Sequence, residues 1–156
     1  MSSFRTRSAT ADDAAAIRSL LPRLADFPSP ARLTTEDVWR YDGAALDEWA
    51  AGDRPQTWVR VAVDPHDQIV AAAIGSMITD SFTGQQAVHL EVVVIDERVD
   101  GNGLGRTLIG EIEADGRERG ALVMSLNVMV ANQRARSLYE RLGFEEEMIR
   151  ASKPLR

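Results

Sequence analysis

The chain has 156 residues, 44% hydrophobic and 27% charged, with 11 Gly and 6 Pro, a globular composition that excludes disordered and collagen-like chains. Cys is absent and His occurs only as His66 and His89, which removes disulfides, thiolate zinc sites and a Cys nucleophile and leaves little for a metal cluster. With 18 Lys and Arg against 24 Asp and Glu, the net charge of −6 argues against a nucleic-acid partner and suits a cationic one.

Phe4 to Ser8 alternates as a short strand does, and Thr10, Asp12 and Asp13 supply helix-start residues. The apolar spacing of Ala14, Ile17, Leu20, Leu21 and Leu24 predicts a helix over 12–24, bent or shortened by Pro22. A second helix is predicted over 35–50, with Val38, Trp39, Leu46 and Trp49 on one face. Val- and Ile-rich stretches over 57–63 and 68–78 flank Asp64-Pro-His-Asp67 and read as an antiparallel hairpin, with His66 as turn chemistry. Residues 87–95 read as a strand whose Val-Val-Val-Ile end is buried on both faces.

A helix over 104–119 ends at Gly120, a strand follows over 122–128, a helix over 132–142 stops at Gly143, and 144–149 is a final strand candidate. No repeat or linker interrupts this order, which predicts a single α/β domain over 1–156 with a mixed sheet. No apolar run approaches the ~20 residues that span a bilayer. The start, Met1-Ser-Ser-Phe-Arg-Thr-Arg7, lacks a secretion signal's apolar segment, so a cytoplasmic location without membrane contact is expected.

The most informative stretch is Asp100-Gly-Asn-Gly-Leu-Gly-Arg106, between a buried strand and a helix. Glycines permit close backbone approach, and the helix start offers unpaired N–H groups, a setting for a phosphate or pyrophosphate. It is not a P-loop, because Asp100 replaces the first Gly and Arg106 the Lys. It is not a dinucleotide fingerprint either, because Arg106 or Leu108 occupies the last Gly position.

The turn resembles that of the GNAT (GCN5-related) N-acetyltransferases, Arg/Gln-x-x-Gly-x-Gly/Ala, with Gly103-Leu-Gly105 as its glycine half and Asp100 in place of the Arg or Gln. Val128-Met-Val-Ala-Asn132-Gln-Arg-Ala135-Arg-Ser-Leu138-Tyr139-Glu-Arg-Leu-Gly143-Phe144 is similar to that family's Val-x-x-x-Asn-x-x-Ala-x-x-Leu-Tyr-x-x-x-Gly-Phe segment. The likeness is strong over 86–150; the first half matches in order of elements. It implies a GNAT acyltransferase fold, with about six to seven strands, about four helices and a V-shaped splay between the central strands.

The resemblance further implies acetyl-coenzyme A as co-substrate, no metal, and a primary amine of a small molecule or peptide as acceptor, attacked directly in a ternary complex; a homodimer is compatible with it. Gly101, Asn102, Gly103, Leu104, Gly105 and Arg106 would hold the pyrophosphate, with Asp100 opposing it. The backbones of Val93 and Ile95 would pair with the pantetheine arm, an amide near Val94 would polarise the thioester, and Asn132 would contact the arm or cap its helix. Glu91 is the candidate base, or an anchor for a cationic acceptor, and His89 shares its face unless a bulge intervenes. Tyr139 is the candidate acid toward the coenzyme thiolate, or a packing residue. The acceptor region would be 12–50 and 79–86, with Phe27, Trp39, Tyr41 and Phe82 as candidate lining. A coenzyme-binding module without catalysis is the alternative reading.

Overall fold

Thr34 opens its helix with a capping box: its hydroxyl accepts the Asp37 N–H at 3.1 Å and the Asp37 carboxylate accepts the Thr34 N–H at 2.8 Å. Such reciprocal pairing satisfies two donors that a helix start would otherwise leave bare. In the computed structural model, which describes residues 3–156, this helix is α2 (Thr35–Ala50), preceded by β1 (Arg5–Ser8) and α1 (Ala14–Leu20). There follow β2 (Thr57–Val63), β3 (Ile69–Thr79), β4 (Gln86–Ile95), α3 (Leu104–Glu118), β5 (Val123–Leu126) and α4 (Gln133–Arg141).

The sheet runs β1-β2-β3-β4-β5. The first four strands pair antiparallel, and β5 joins β4 in parallel after the α3 crossover. A parallel neighbour requires such a crossover, which places α3 on one face of the sheet. Ile17, Leu20, Leu21 and Leu46 fill the opposite face, against Val59, Val61, Ala72, Ile74, Val92 and Val94. On the α3 face, Leu104, Leu108, Ile109 and Ile112 pack on Val70, Ala71, Ala73, Val88 and Leu90, with Leu138, Tyr139 and Leu142 of α4 at the margin. Gly116 allows α3 to lie close, since a Cβ there would stand 2.7 Å from the Val88 side chain. A two-pronged pair fixes the helix further: Arg60 of β2 donates to Asp115 at 2.8 and 2.7 Å.

Two expectations are corrected. The helix predicted over 12–24 is regular only over Ala14–Leu20, with a 3-10 turn at Ala11–Asp13 before it and another at Leu21–Ala25 after it; the shortening at its C-terminal end is the one expected of Pro22, which has no N–H to continue the ladder. The strand candidate 144–149 is not a strand. After Gly143 the chain runs without a ladder partner, three glutamates follow Phe144, and Met148 and Ile149 stand exposed. Among the described residues the sheet therefore has five strands, fewer than expected. Among the described residues no helix is long and apolar enough to cross a membrane.

Candidate functional site

β4 and β5 pair only from Ala87 opposite Val123 to Leu90 opposite Leu126. Beyond that point Val92–Ile95 keep β3 on one side, and among the described residues Glu91–Ile95 have no strand on the other. The Asp96 N–H donates to the Val70 carbonyl of the β3 side at 2.7 Å. Alternation then turns the polar backbone groups of Val92 and Val94 toward β3, and those of Val93 and Ile95 toward the open edge. The Ile95 carbonyl already accepts from the Arg23 guanidinium at 3.2 Å. Val93, whose amide faces the gap, is thus better placed than Val94 to polarise a carbonyl lying there. An unpaired strand edge of this kind is a template for an extended ligand.

The glycine turn stands at the end of this edge. Gly101 and Gly103 have φ of 87° and 74°, and Gly103, in the left-handed region, is the N-cap of α3. A Cβ at Gly103 would meet nothing within 4 Å, so the glycine is required by the backbone conformation and keeps the approach to the helix start clear. The Leu104, Gly105 and Arg106 N–H groups open the helix and have no intrahelical acceptor. The Asn102 amide, itself exposed, donates to the Val99 carbonyl at 2.7 Å, and Arg106 is exposed as well.

Asp100 does not stand as an uncompensated charge. Arg134 of α4 donates to its two oxygens at 2.6 and 2.7 Å, Arg23 lies at 3.4 Å, and the Gly101 N–H donates to it at 3.0 Å. The carboxylate thus ties the glycine turn to the start of α4 and to the segment that follows α1. The sequence carries the signal only as Arg134, two residues after Asn132 in the second motif.

Glu91 is the additional residue of a β-bulge, since Gly75 pairs with Leu90 and Ile74 with Val92. Leu90 faces the α3 layer whereas Val92 faces the α1 and α2 layer, so the bulge turns the strand's end over. The Glu91 carboxylate accepts from Arg54, in the turn before β2, at 3.1 Å. His89 lies opposite Leu90 in the pleat and shares the α2 side with Glu91, because the bulge falls beyond it. Its Nδ1 pairs with the Ser125 hydroxyl at 2.8 Å across the β4–β5 join. Burial, partly opposed by Glu91, pushes the His89 pKa down.

Tyr139 packs edge-on against Phe144, ring centroids 5.7 Å apart, at the margin of the α3-side core. Burial raises its pKa, which keeps the hydroxyl protonated through the neutral range. Asn132 caps α4, its side-chain oxygen accepting the Ala135 N–H at 3.2 Å. Glu91 and Tyr139 come from opposite faces of the sheet, Glu91 from the α1 and α2 side and Tyr139 from the α3 side. Of the aromatics, Trp39 packs into the core, Phe27 is half-buried, and Tyr41 and Phe82 are exposed. His66 is exposed in the hairpin turn. A depression of about 510 Å³ lined by Asp12, Asp13, Asp67, Asp96 and Arg98 lies apart from these groups.

Sequence reasoning missed Arg54, Arg23, Arg134 and Asp42. Asp42 is half-buried on α2, with its pKa pushed up to about 6 by burial and then by Glu91, against the pull of Arg54. Its signal was a carboxylate inside the apolar spacing Trp39, Asp42, Leu46, Trp49.

The fold and this arrangement of open edge and glycine turn belong to one class. The acetyltransferase (GNAT) family profile matches residues 21–144, and the chain belongs to that family. It is 29% identical over 99 residues to the [ribosomal protein bS18]-alanine N-acetyltransferase of Salmonella typhimurium, covering 64% of this chain and 63% of that protein. Among solved structures, a putative acetyl transferase from Pyrococcus furiosus matches with TM-score 0.79 and 17% identity, over 98% of this chain and 100% of the other. The aminoglycoside N-acetyltransferase AAC(6')-Iy, solved with CoA, matches with TM-score 0.75 and 19% identity, over 99% and 97%.

Proposed function

We propose that the protein transfers acetyl from acetyl-coenzyme A to a primary amine by direct attack in a ternary complex. The observation that carries this reading is the unpaired β4 edge running from Glu91 to the glycine turn. A pantetheine arm can add there as a strand, and a pyrophosphate can meet the N–H groups of Leu104, Gly105 and Arg106. Val93 supplies the amide for the thioester oxygen, and Asn132 borders the arm at the start of α4.

In the reaction the amine nitrogen attacks the thioester carbon, and negative charge gathers on the carbonyl oxygen beside the Val93 amide. Glu91, directly or through one water, takes the proton that the nitrogen sheds. The C–S bond then breaks, and Tyr139 gives its proton to the departing thiolate. No covalent acyl-enzyme is needed, and the chain has no Cys to form one.

The alternative, coenzyme binding without turnover, drew its support from the misplaced charge of Asp100. That charge is taken up by Arg134 and Arg23, which favours the enzyme. A cytoplasmic location and a homodimer belong to the same proposal, the latter tested by light scattering. The functional test is release of free coenzyme thiol from acetyl-coenzyme A across a panel of peptide, aminosugar and polyamine acceptors. Amine-dependent release supports the reading; tight coenzyme binding without release for any amine supports the alternative.

A further inference from the structure

The inward stripe of α2 carries an anomaly. Trp39, Leu46 and Trp49 pack into the core, and Asp42 occupies the same stripe one turn before Leu46. A carboxylate drawn toward an apolar layer ordinarily takes a hydrogen bond or a cation to itself. Asp42 takes neither among the described residues: the groups acting on it are Glu91 of β4 and Arg54 of the turn before β2, both through space. Arg54 is itself committed, donating to Glu91 at 3.1 Å and lying 3.7 Å from Glu48. On α1 the nearest guanidinium, Arg18, is held by the Gly43 carbonyl and Asp47. His89, on the same side, is bonded to Ser125 and held toward its neutral form. One cation therefore serves Asp42, Glu48 and Glu91, and the carboxylate left without it is the one on the inner face of α2.

We propose that Asp42 is the specificity-determining residue for the acceptor: it holds an ammonium group of a substrate with two or more amino groups, while another nitrogen of that substrate lies at Glu91 for acetylation. This rests on the acetyltransferase reading and deepens it, naming a polyamine-like acceptor in place of a lone primary amine. Asp42 touches the part of the acceptor that does not react, so its effect falls on KM. Among the described residues Asp42 is the half-buried carboxylate beside Glu91 that has no cation bonded to it, so it serves a second charge and a monoamine gains nothing from it.

A residue held for recognition at the expense of the fold has a distinctive signature. An Asp whose proton is held more tightly in the folded state weakens folding as pH rises from its unfolded value near 4 through about 6. Removing the charge then stabilises the protein above that range, whereas removing a structural carboxylate destabilises it.

The test compares the wild type with Asp42→Asn, using spermidine and n-butylamine as acceptors, with melting curves at pH 5 and pH 8. The wild type is expected to prefer spermidine by at least about tenfold in kcat/KM, and Asp42→Asn to raise the spermidine KM by about tenfold so that the preference collapses. The KM for acetyl-coenzyme A should move less than about twofold, and the variant should melt higher than the wild type at pH 8, with the difference shrinking at pH 5. Absence of a spermidine preference in the wild type, an unchanged spermidine KM in the variant, or a lower melting temperature at pH 8 overturns the assignment. A wild-type protein that fails to bind acetyl-coenzyme A by calorimetry overturns the acetyltransferase reading itself, which separates the two failures.

Discussion

Replacing Asp100 by Arg would restore the basic residue of the family's turn, and from charge alone should tighten the grip on a pyrophosphate. The geometry around Asp100 predicts a different outcome. The substitution removes the two-pronged bond to Arg134, the contact with Arg23 and the acceptor of the Gly101 N–H, and sets a third guanidinium beside the first two. Arg134 is 75% exposed, so its pair contributes at most about 1 kcal/mol. The Gly101 bond adds about 1 kcal/mol, and like-charge crowding a similar amount, because a long side chain can swing toward water. Asp100→Arg is therefore expected to cost about 2–3 kcal/mol of stability and to leave coenzyme affinity no better than wild type. Asp100→Asn keeps an acceptor for Gly101 and releases both guanidinium groups. It should cost about 1 kcal/mol and tighten acetyl-coenzyme A by about two- to fivefold at low ionic strength, with the gain lost in high salt. Denaturant melts give the stabilities, calorimetry at two salt concentrations gives the affinities, and a cycle with Arg134→Ala isolates the pair. An Asp100→Arg protein as stable as wild type that binds coenzyme more tightly would refute this account of the turn.

Three further outcomes are expected. Glu91→Gln should lower turnover by about 10²-fold, with most of the loss recovered at high pH where the amine deprotonates unaided; a rise confined to the acceptor KM would make Glu91 an anchor instead. Tyr139→Phe keeps the ring against Phe144 and should lower kcat about 10- to 10³-fold with coenzyme affinity nearly intact, whereas Tyr139→Ala should cost about 3 kcal/mol of stability in a melt. The Arg60 hydrogen bond lowers the pKa of Asp115, so the stability this pair contributes is present above the unfolded value near 4 and is lost as pH falls through the folded one. Asp115→Asn should accordingly cost about 2 kcal/mol at neutral pH and little in acid, as read by melts across pH.

The regular elements were legible where the hydrophobic period is clear: the spans of α2 and β2 follow from the apolar stripe Val38, Trp39, Leu46 and Trp49 and from the Val-rich run over 57–63, and the Thr34 capping box then fixes where α2 starts. The glycine turn and the Asn132 to Phe144 segment were legible as motifs, since backbone conformation and close approach restrict residue type there. What escaped depends on tertiary partners. The bulge at Glu91 is set by the register against Ile74 and Gly75, and nothing in the Val-Val-Val-Ile run announces it. The segment after Phe144 has a strand-like pattern, yet β5 is four residues long and offers it no ladder. Asp100 read as a repelling charge because Arg23 and Arg134 lie far from it in sequence. Asp42 is visible in the spacing as a carboxylate on the stripe of Trp39, Leu46 and Trp49, but its lack of a partner depends on Arg54 and Glu91, which lie outside α2.

The central claim, that acetyl-coenzyme A adds to the open edge of β4 with its phosphates on the glycine turn, is tested most directly by amide hydrogen exchange with and without the coenzyme. Protection is predicted at Val93 and across Gly103 to Arg106, with the β2–β3 ladder unchanged. Protection centred instead on the depression lined by Asp12, Asp67 and Arg98, or none at the turn under saturating coenzyme, would contradict the account.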